Sequence, residues 1–329
     1  MWVTAVPMDA ISLAPFASPV ILFFVLGLLA SALRSDLAIP EAIGKAMSIY
    51  LMAAIGLKGG VAVAKSGLGP EVIGALATGM VLSFTLPLLA YATLRGFARL
   101  DRINAGAVAA HYGSVSVVTF VTAGEILGAQ GLAVAGFMVA VLAVMETPAI
   151  LSGLLLARRG EPRSGERSDD LLREVFLNAS VVLLLGSFAI GLIAGPKGYA
   201  DVQPLFDSGF KGVLCLFLLD MGLIAARRLI DARALNVKLV VLAVALPLVN
   251  GTIGVLAGTA IGLDPGAAAA LGVLCGSASY IAVPAAMRMA LPEADPGIYL
   301  TMSLSITFPF NILLGIGLYG ALARALAGG

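Results

Sequence analysis

This chain carries little charge. Only 12% of its residues are Asp, Glu, Lys or Arg, whereas 60% are hydrophobic. That leaves too little polar surface for a water-soluble fold of 329 residues. There is a single histidine, His111, and there are two cysteines, Cys215 and Cys275, which lie in apolar context without metal-ligand spacing and read as ordinary buried thiols. With no nucleophile beside a base, no metal cluster and no Asp-rich phosphate motif, an enzyme is not expected. A formal net charge of +1 argues against a nucleic-acid partner. The first 15 residues carry no Lys or Arg, so no signal-peptide n-region is read there, and the first apolar run is expected to remain as a span.

What the chain does have is long apolar runs. Runs of roughly 18–25 residues fall at 16–33, 39–62, 70–93, 104–126 and 130–157, then, after a polar stretch at 158–173, at 174–194, 205–226, 236–260, 265–290 and 297–325. The expected fold is therefore an all-α polytopic membrane protein with ten transmembrane helices. Placing the N-terminus outside gathers most of the basic residues into cytoplasmic loops: Arg34; Arg95, Arg99 and Arg102; Arg158 to Arg173; Arg227 to Lys238; and Arg288. This bias predicts that both termini lie outside.

The two halves resemble each other. "PEAIGKAMSIYLMAAIGLKGG" from Pro40 aligns with "FDSGFKGVLCLFLLDMGLIAA" from Phe206, matching Glu41 with Asp207, Lys45 with Lys211 and Gly56 with Gly222. Asp101 precedes Gly113-Ser114 by the same 12 positions that separate Asp264 from Gly276-Ser277. Five spans is an odd number, so the second half must insert upside down. The expected organisation is a first repeat at 1–157, a cytoplasmic linker at 158–173 and a second, inverted repeat at 174–329, an architecture of secondary transporters.

Two stretches, "AHYGSVSVVTF" at 110–120 and "LCGSASYIAVP" at 274–284, put Gly and two Ser in the middle of spans 4 and 9. At ~1.5 Å per residue each half-span reaches about halfway through the hydrocarbon. Glycine weakens a helix and serine competes for its hydrogen bonds, so the two spans are expected to break and to cross at the midplane. Unwound backbone at that depth is tolerated where it lines a cavity. The restarting helix ends at Ser114–Ser116 and Ser277–Ser279 suit a small anion, and the carbonyls and hydroxyls around them suit sodium. The competing reading is close packing of small residues between helices. Among intramembrane polar residues, Glu146 in "METPAI" reads either as a coupling-ion contact or as a helix-end cap. Asp220 reads as a structural or gating contact, Lys58 as snorkelling to the outer interface, and His111 and Asn250 as hydrogen-bonding groups.

The segments "IPEAI", "IGLKGG", "PLFDSGFKG", the two Gly/Ser breaks and "LPEADPGIYLTMSLSITFPFN" together resemble the sodium-dependent bicarbonate transporter family first known from cyanobacteria, over nearly the whole chain. That resemblance implies a gate domain and a mobile core working as an elevator, and a homotrimer in the bacterial inner membrane. It implies bicarbonate and sodium as cargo and no cofactor besides the coupling ion. Carried onto this chain, the anion site falls on Gly113, Ser114, Val115, Ser116, Ser277, Ala278, Ser279 and Tyr280. The sodium set falls on Ser116 and Ser279 with Thr119, one turn into the restarted helix, and Glu146. Cyanobacterial members carry an acidic residue where this chain has Tyr280, which bears on sodium coupling and on the preferred anion. A PII-like cytoplasmic regulator is also implied, although the 158–173 connection is short. The alternative cargo is another small anion, such as a carboxylate. A channel is disfavoured, because paired breaks suit an occluded site rather than a continuous filter.

Overall fold

The computed structural model describes residues 18–67, 69–158, 179–231 and 236–328. Most of the expected cytoplasmic linker lies outside these residues. Among them every regular element is helical. We number the helices α1 Pro19–Ala32, α2 Glu41–Ser66, α3 Pro70–Gly96, α4 Arg102–Gly113, α5 Val117–Ala129, α6 Met138–Ala157, α7 Ala179–Ala200, α8 Phe210–Asp231, α9 Val237–Ala260, α10 Pro265–Gly276, α11 Ala282–Ala290 and α12 Pro296–Ala327. Among the described residues, seven helical stretches are long and apolar enough to cross a membrane, with α4 and α5 counting as one stretch, and α1 and α10 are shorter apolar helices. The chain is a multi-pass membrane protein.

Helix starts follow local chemistry. The Asp101 carboxylate accepts from the Asn104 amide at 2.9 Å, and that of Asp264 accepts from the Gly266 and Ala267 amides at 2.8 and 3.1 Å. Each aspartate thereby satisfies donors that the first turn of a helix leaves free. α4 and α10 are both 12 residues long, each starts from such an aspartate, and each ends on a glycine. One expected span is shorter than the apolar run suggests. Residues 130–137 are not helical, and α6 begins only at Met138; Gly131, with φ 78°, takes the left-handed conformation that ends α5. α12 contains π-helical turns at Thr301–Thr307 and Asn311–Gly315.

The helices pack in two groups. α1 lies along α8, and α2 lies along α7. Both pairs close on glycines: a Cβ on Gly222 would sit 2.3 Å from the Phe24 carbonyl oxygen, and one on Gly60 would sit 1.9 Å from that of Phe188. The second group joins α3, α4 and α6 to α9, α10 and α12, and α5 packs on α10 and α12. The groups meet where α8 touches the first π turn of α12 and where α6 touches α2 and α7.

Candidate functional site: the crossing of two interrupted helices

α4 gives way to α5 across Ser114–Ser116, and α10 gives way to α11 across residues 277–281. The two interruptions are tied to each other. The Ser116 amide donates to Ser277 Oγ at 2.9 Å, and the Ser279 amide donates to the His111 carbonyl at 2.9 Å. Ser116 also caps α5: its Oγ accepts from the Thr119 amide at 3.2 Å and from Thr119 Oγ1 at 2.9 Å. Ser279 Oγ accepts more weakly from the Val283 amide at 3.4 Å.

Carbonyls released at the helix ends find side-chain partners. Asn250 Nδ2 donates to the Tyr112 carbonyl at 3.2 Å, and Asn311 Nδ2 donates to that of Gly276 at 2.8 Å. Pro247 has no N–H to offer the Ala243 carbonyl, and Thr307 Oγ1 donates to it at 2.6 Å in its place. Tyr112 Oη lies 2.6 Å from the same Thr307 hydroxyl. Buried backbone needs such partners, and here they come from α9 and α12.

At the crossing is a small cavity of about 10 Å³, the room of one water-sized occupant. Val115, Ser116, Val117 and Glu146 line it from one half, Ser279, Tyr280, Ile281 and Ala282 from the other, and Met52 from α2. One polar atom at its wall, Glu146 Oε2, has no hydrogen-bond partner among the described residues, and the Tyr280 hydroxyl interacts with the Ser116 side chain; both the Glu146 and Tyr280 side chains are buried. The Tyr280 ring packs edge-on against Phe308, which packs edge-on against Phe24 of α1.

Of the anion set, Val115, Ser116, Ser279 and Tyr280 reach this cavity, whereas Gly113, Ser114, Ser277 and Ala278 do not line it. Gly113 instead backs onto Pro87, whose Cγ would lie 2.2 Å from an added Cβ. The Ser114 hydroxyl donates to the Glu146 carbonyl at 3.2 Å. Of the sodium set, Ser116, Ser279 and Glu146 line the cavity, and Thr119 joins it through Ser116. The free Oε2 of Glu146 sits at the cavity wall.

The other intramembrane polar residues each meet specific neighbours. Lys58 does not reach outward alone: it pairs with Asp207 and lies 4.5 Å from the centre of the Phe210 ring. Asp220 presses its carboxylate against Gly44 of α2, where a Cβ would come within 2.7 Å of Oδ2. His111 is fully buried, with Nδ1 2.7 Å from the Ala107 carbonyl and its ring stacked on Tyr299. Met52 and Asn311 were not singled out from the sequence. An asparagine inside the apolar run "SITFPFNILL" is a signal that could have found the second, since a polar amide in a span needs a partner.

These features define a class: a multi-pass helical membrane protein whose interior carries a small cavity, with a buried carboxylate at its wall, between two interrupted helices. The chain belongs to the Na+-dependent bicarbonate transporter superfamily, whose family model matches residues 19–324. It is thus a transporter and not an enzyme. No curated protein matches it.

Proposed function

We propose that this chain imports bicarbonate together with sodium, by elevator-type alternating access, across a bacterial inner membrane. The observation that carries the reading is the cavity at the crossing, where a buried carboxylate oxygen of Glu146 lacks a partner beside the Ser116 and Tyr280 hydroxyls. An unpartnered buried carboxylate is costly, and a bound cation removes that cost. Glu146, Ser116, Ser279 and Thr119 form the sodium site. The Tyr280 hydroxyl and the first-turn amides of α5 and α11 hold the anion, with Gly113, Ser114, Val115, Ser277 and Ala278 shaping the backbone around it.

The chain is read as ten spans in two inverted repeats, 1–157 and 174–329, joined by the cytoplasmic linker 158–173. The matching design of α4 and α10 supports this, as does the pairing of α1 with α8 and α2 with α7, since a two-fold axis would exchange those pairs. The elevator reading is supported by the division into two packing groups, with α1, α2, α7 and α8 as the gate. A homotrimer, both termini outside and a PII-like cytoplasmic regulator complete the proposal.

Uptake of labelled bicarbonate into proteoliposomes, with and without an inward sodium gradient, tests it. Sodium-dependent uptake that is lost in the Ser114→Ala, Ser277→Ala double variant is expected. A folded protein without such uptake, but with sodium-driven uptake of a carboxylate, would move the assignment to that anion.

A further inference from the structure

We infer that Met52 sets the upper size of the anion this pocket carries. The inference rests on the transport reading of the same pocket and extends it to substrate choice. The other lining residues come from the two interrupted segments or from α6; Met52 reaches in from α2, in the other packing group. Its side chain is buried at the cavity wall.

The remaining walls have little freedom. The Ser116–Ser277 and Ser279–His111 hydrogen bonds, both 2.9 Å, hold the segments bearing Val115, Val117 and Ile281. The α2 backbone cannot retreat either. A Cβ at Gly56 would lie 2.6 Å from the Leu184 carbonyl oxygen, so α2 and α7 already touch backbone to backbone just beyond Met52. An oxyanion of four heavy atoms exceeds a cavity of about 10 Å³, so room for it must come from a side chain that moves. Methionine, unbranched and with three rotatable bonds, is the wall residue suited to that. Swung aside, it admits a planar anion of four heavy atoms; its remaining bulk meets any chain that continues beyond the atom attached to the carboxyl carbon. Met52 thereby separates bicarbonate from propionate and longer carboxylates, which share the same charge and oxygen pair, whereas acetate matches bicarbonate in size and is not separated by it.

The test compares wild type, Met52→Leu and Met52→Ala in proteoliposomes under an inward sodium gradient, with labelled bicarbonate as substrate and propionate and butyrate as competitors. Met52→Leu, similar in volume, should keep the exclusion. Met52→Ala should be inhibited by both carboxylates at concentrations at least tenfold lower than wild type, and should take up labelled propionate in a sodium-dependent way. If Met52→Ala does not fold, Met52→Val carries the same comparison with a smaller expected shift. A folded Met52→Ala (or Met52→Val) protein with the wild-type exclusion pattern overturns the role of Met52 and leaves the transport reading standing. A wild type that carries propionate in place of bicarbonate overturns the choice of bicarbonate and, with it, Met52 as the barrier to propionate. A wild type that carries neither overturns both.

Discussion

The Ser116 amide donates to Ser277 Oγ at 2.9 Å across 161 residues of sequence. Each interruption is therefore held open by the other, and neither local sequence alone dictates the geometry of the crossing. Ser277 Oγ has a second task, donating to the Leu274 carbonyl at 2.8 Å. Ser277→Ala removes both bonds and leaves a buried amide unpaired, at a cost of about 1–3 kcal/mol. A lower melting temperature is expected, with sodium-dependent uptake reduced roughly tenfold or more. Melting and uptake measured on one preparation check it; unchanged values in both would mean the crossing is held by something else.

Asn311 plays a comparable part at the end of α10. Its amide donates to the Gly276 carbonyl at 2.8 Å, and its Oδ1 accepts from Tyr319 Oη at 3.3 Å. Asn311→Ala should destabilise by about 1–3 kcal/mol through the unpaired carbonyl. Asn311→Asp should be worse, since it replaces the donor with a buried carboxylate facing that carbonyl. The order wild type, Ala, Asp in thermal melts is the expected outcome. Asp melting above Ala would contradict the assigned donor role.

Much of this could be read from the sequence, for physical reasons that also explain the rest. Apolar runs announce membrane helices because lipid admits little else, and Gly-Ser-x-Ser marks where α4 and α10 stop because both residue types weaken a helix. The late start of α6 was hidden, since Leu132, Val134 and Ala135 are as apolar as any helix interior. Lys58 looked like a snorkelling side chain because its partner Asp207 lies far along the chain and is brought near only by packing. Met52 carried no signal at all: a methionine in an apolar helix looks the same whether it faces lipid, core or cavity. Glu146 stood out as an intramembrane acid, but its free oxygen at the cavity is a fact of the fold.

The Lys58–Asp207 pair gives a pH prediction. Hydrogen bonding by Lys58 holds the Asp207 carboxyl below its usual range, against some desolvation. A depressed folded value means the stabilisation is fully present above the ordinary carboxylate pKa of about 4 and is lost as pH falls through the folded value. Asp207 is 42% exposed, so the effect is small. Wild type should lose melting temperature between about pH 5 and pH 3 more steeply than Asp207→Asn. Parallel curves would show that the pair adds nothing to stability.

Lys211 at the start of α8 pairs with Glu125 on α5 at 2.8 Å, joining a helix of the proposed gate to one of the proposed moving group. Sliding of one group past the other stretches this contact, so the pair favours the state seen here over its alternative. Both side chains are partly exposed, at 70% and 25%, which limits the bias to about 1 kcal/mol or less. Glu125→Gln should therefore change maximal uptake by no more than about fivefold, upward if leaving this state limits turnover and downward if returning to it does. The charge-swapped double variant, Glu125→Lys with Lys211→Glu, should return uptake toward wild type, because the pair is re-formed with its polarity reversed. High salt should shrink the difference between wild type and Glu125→Gln, since screening weakens exposed pairs first. If the single variant matches wild type at low salt, the pair does not span a moving boundary, and the division between gate and moving group must run elsewhere than between α5 and α8.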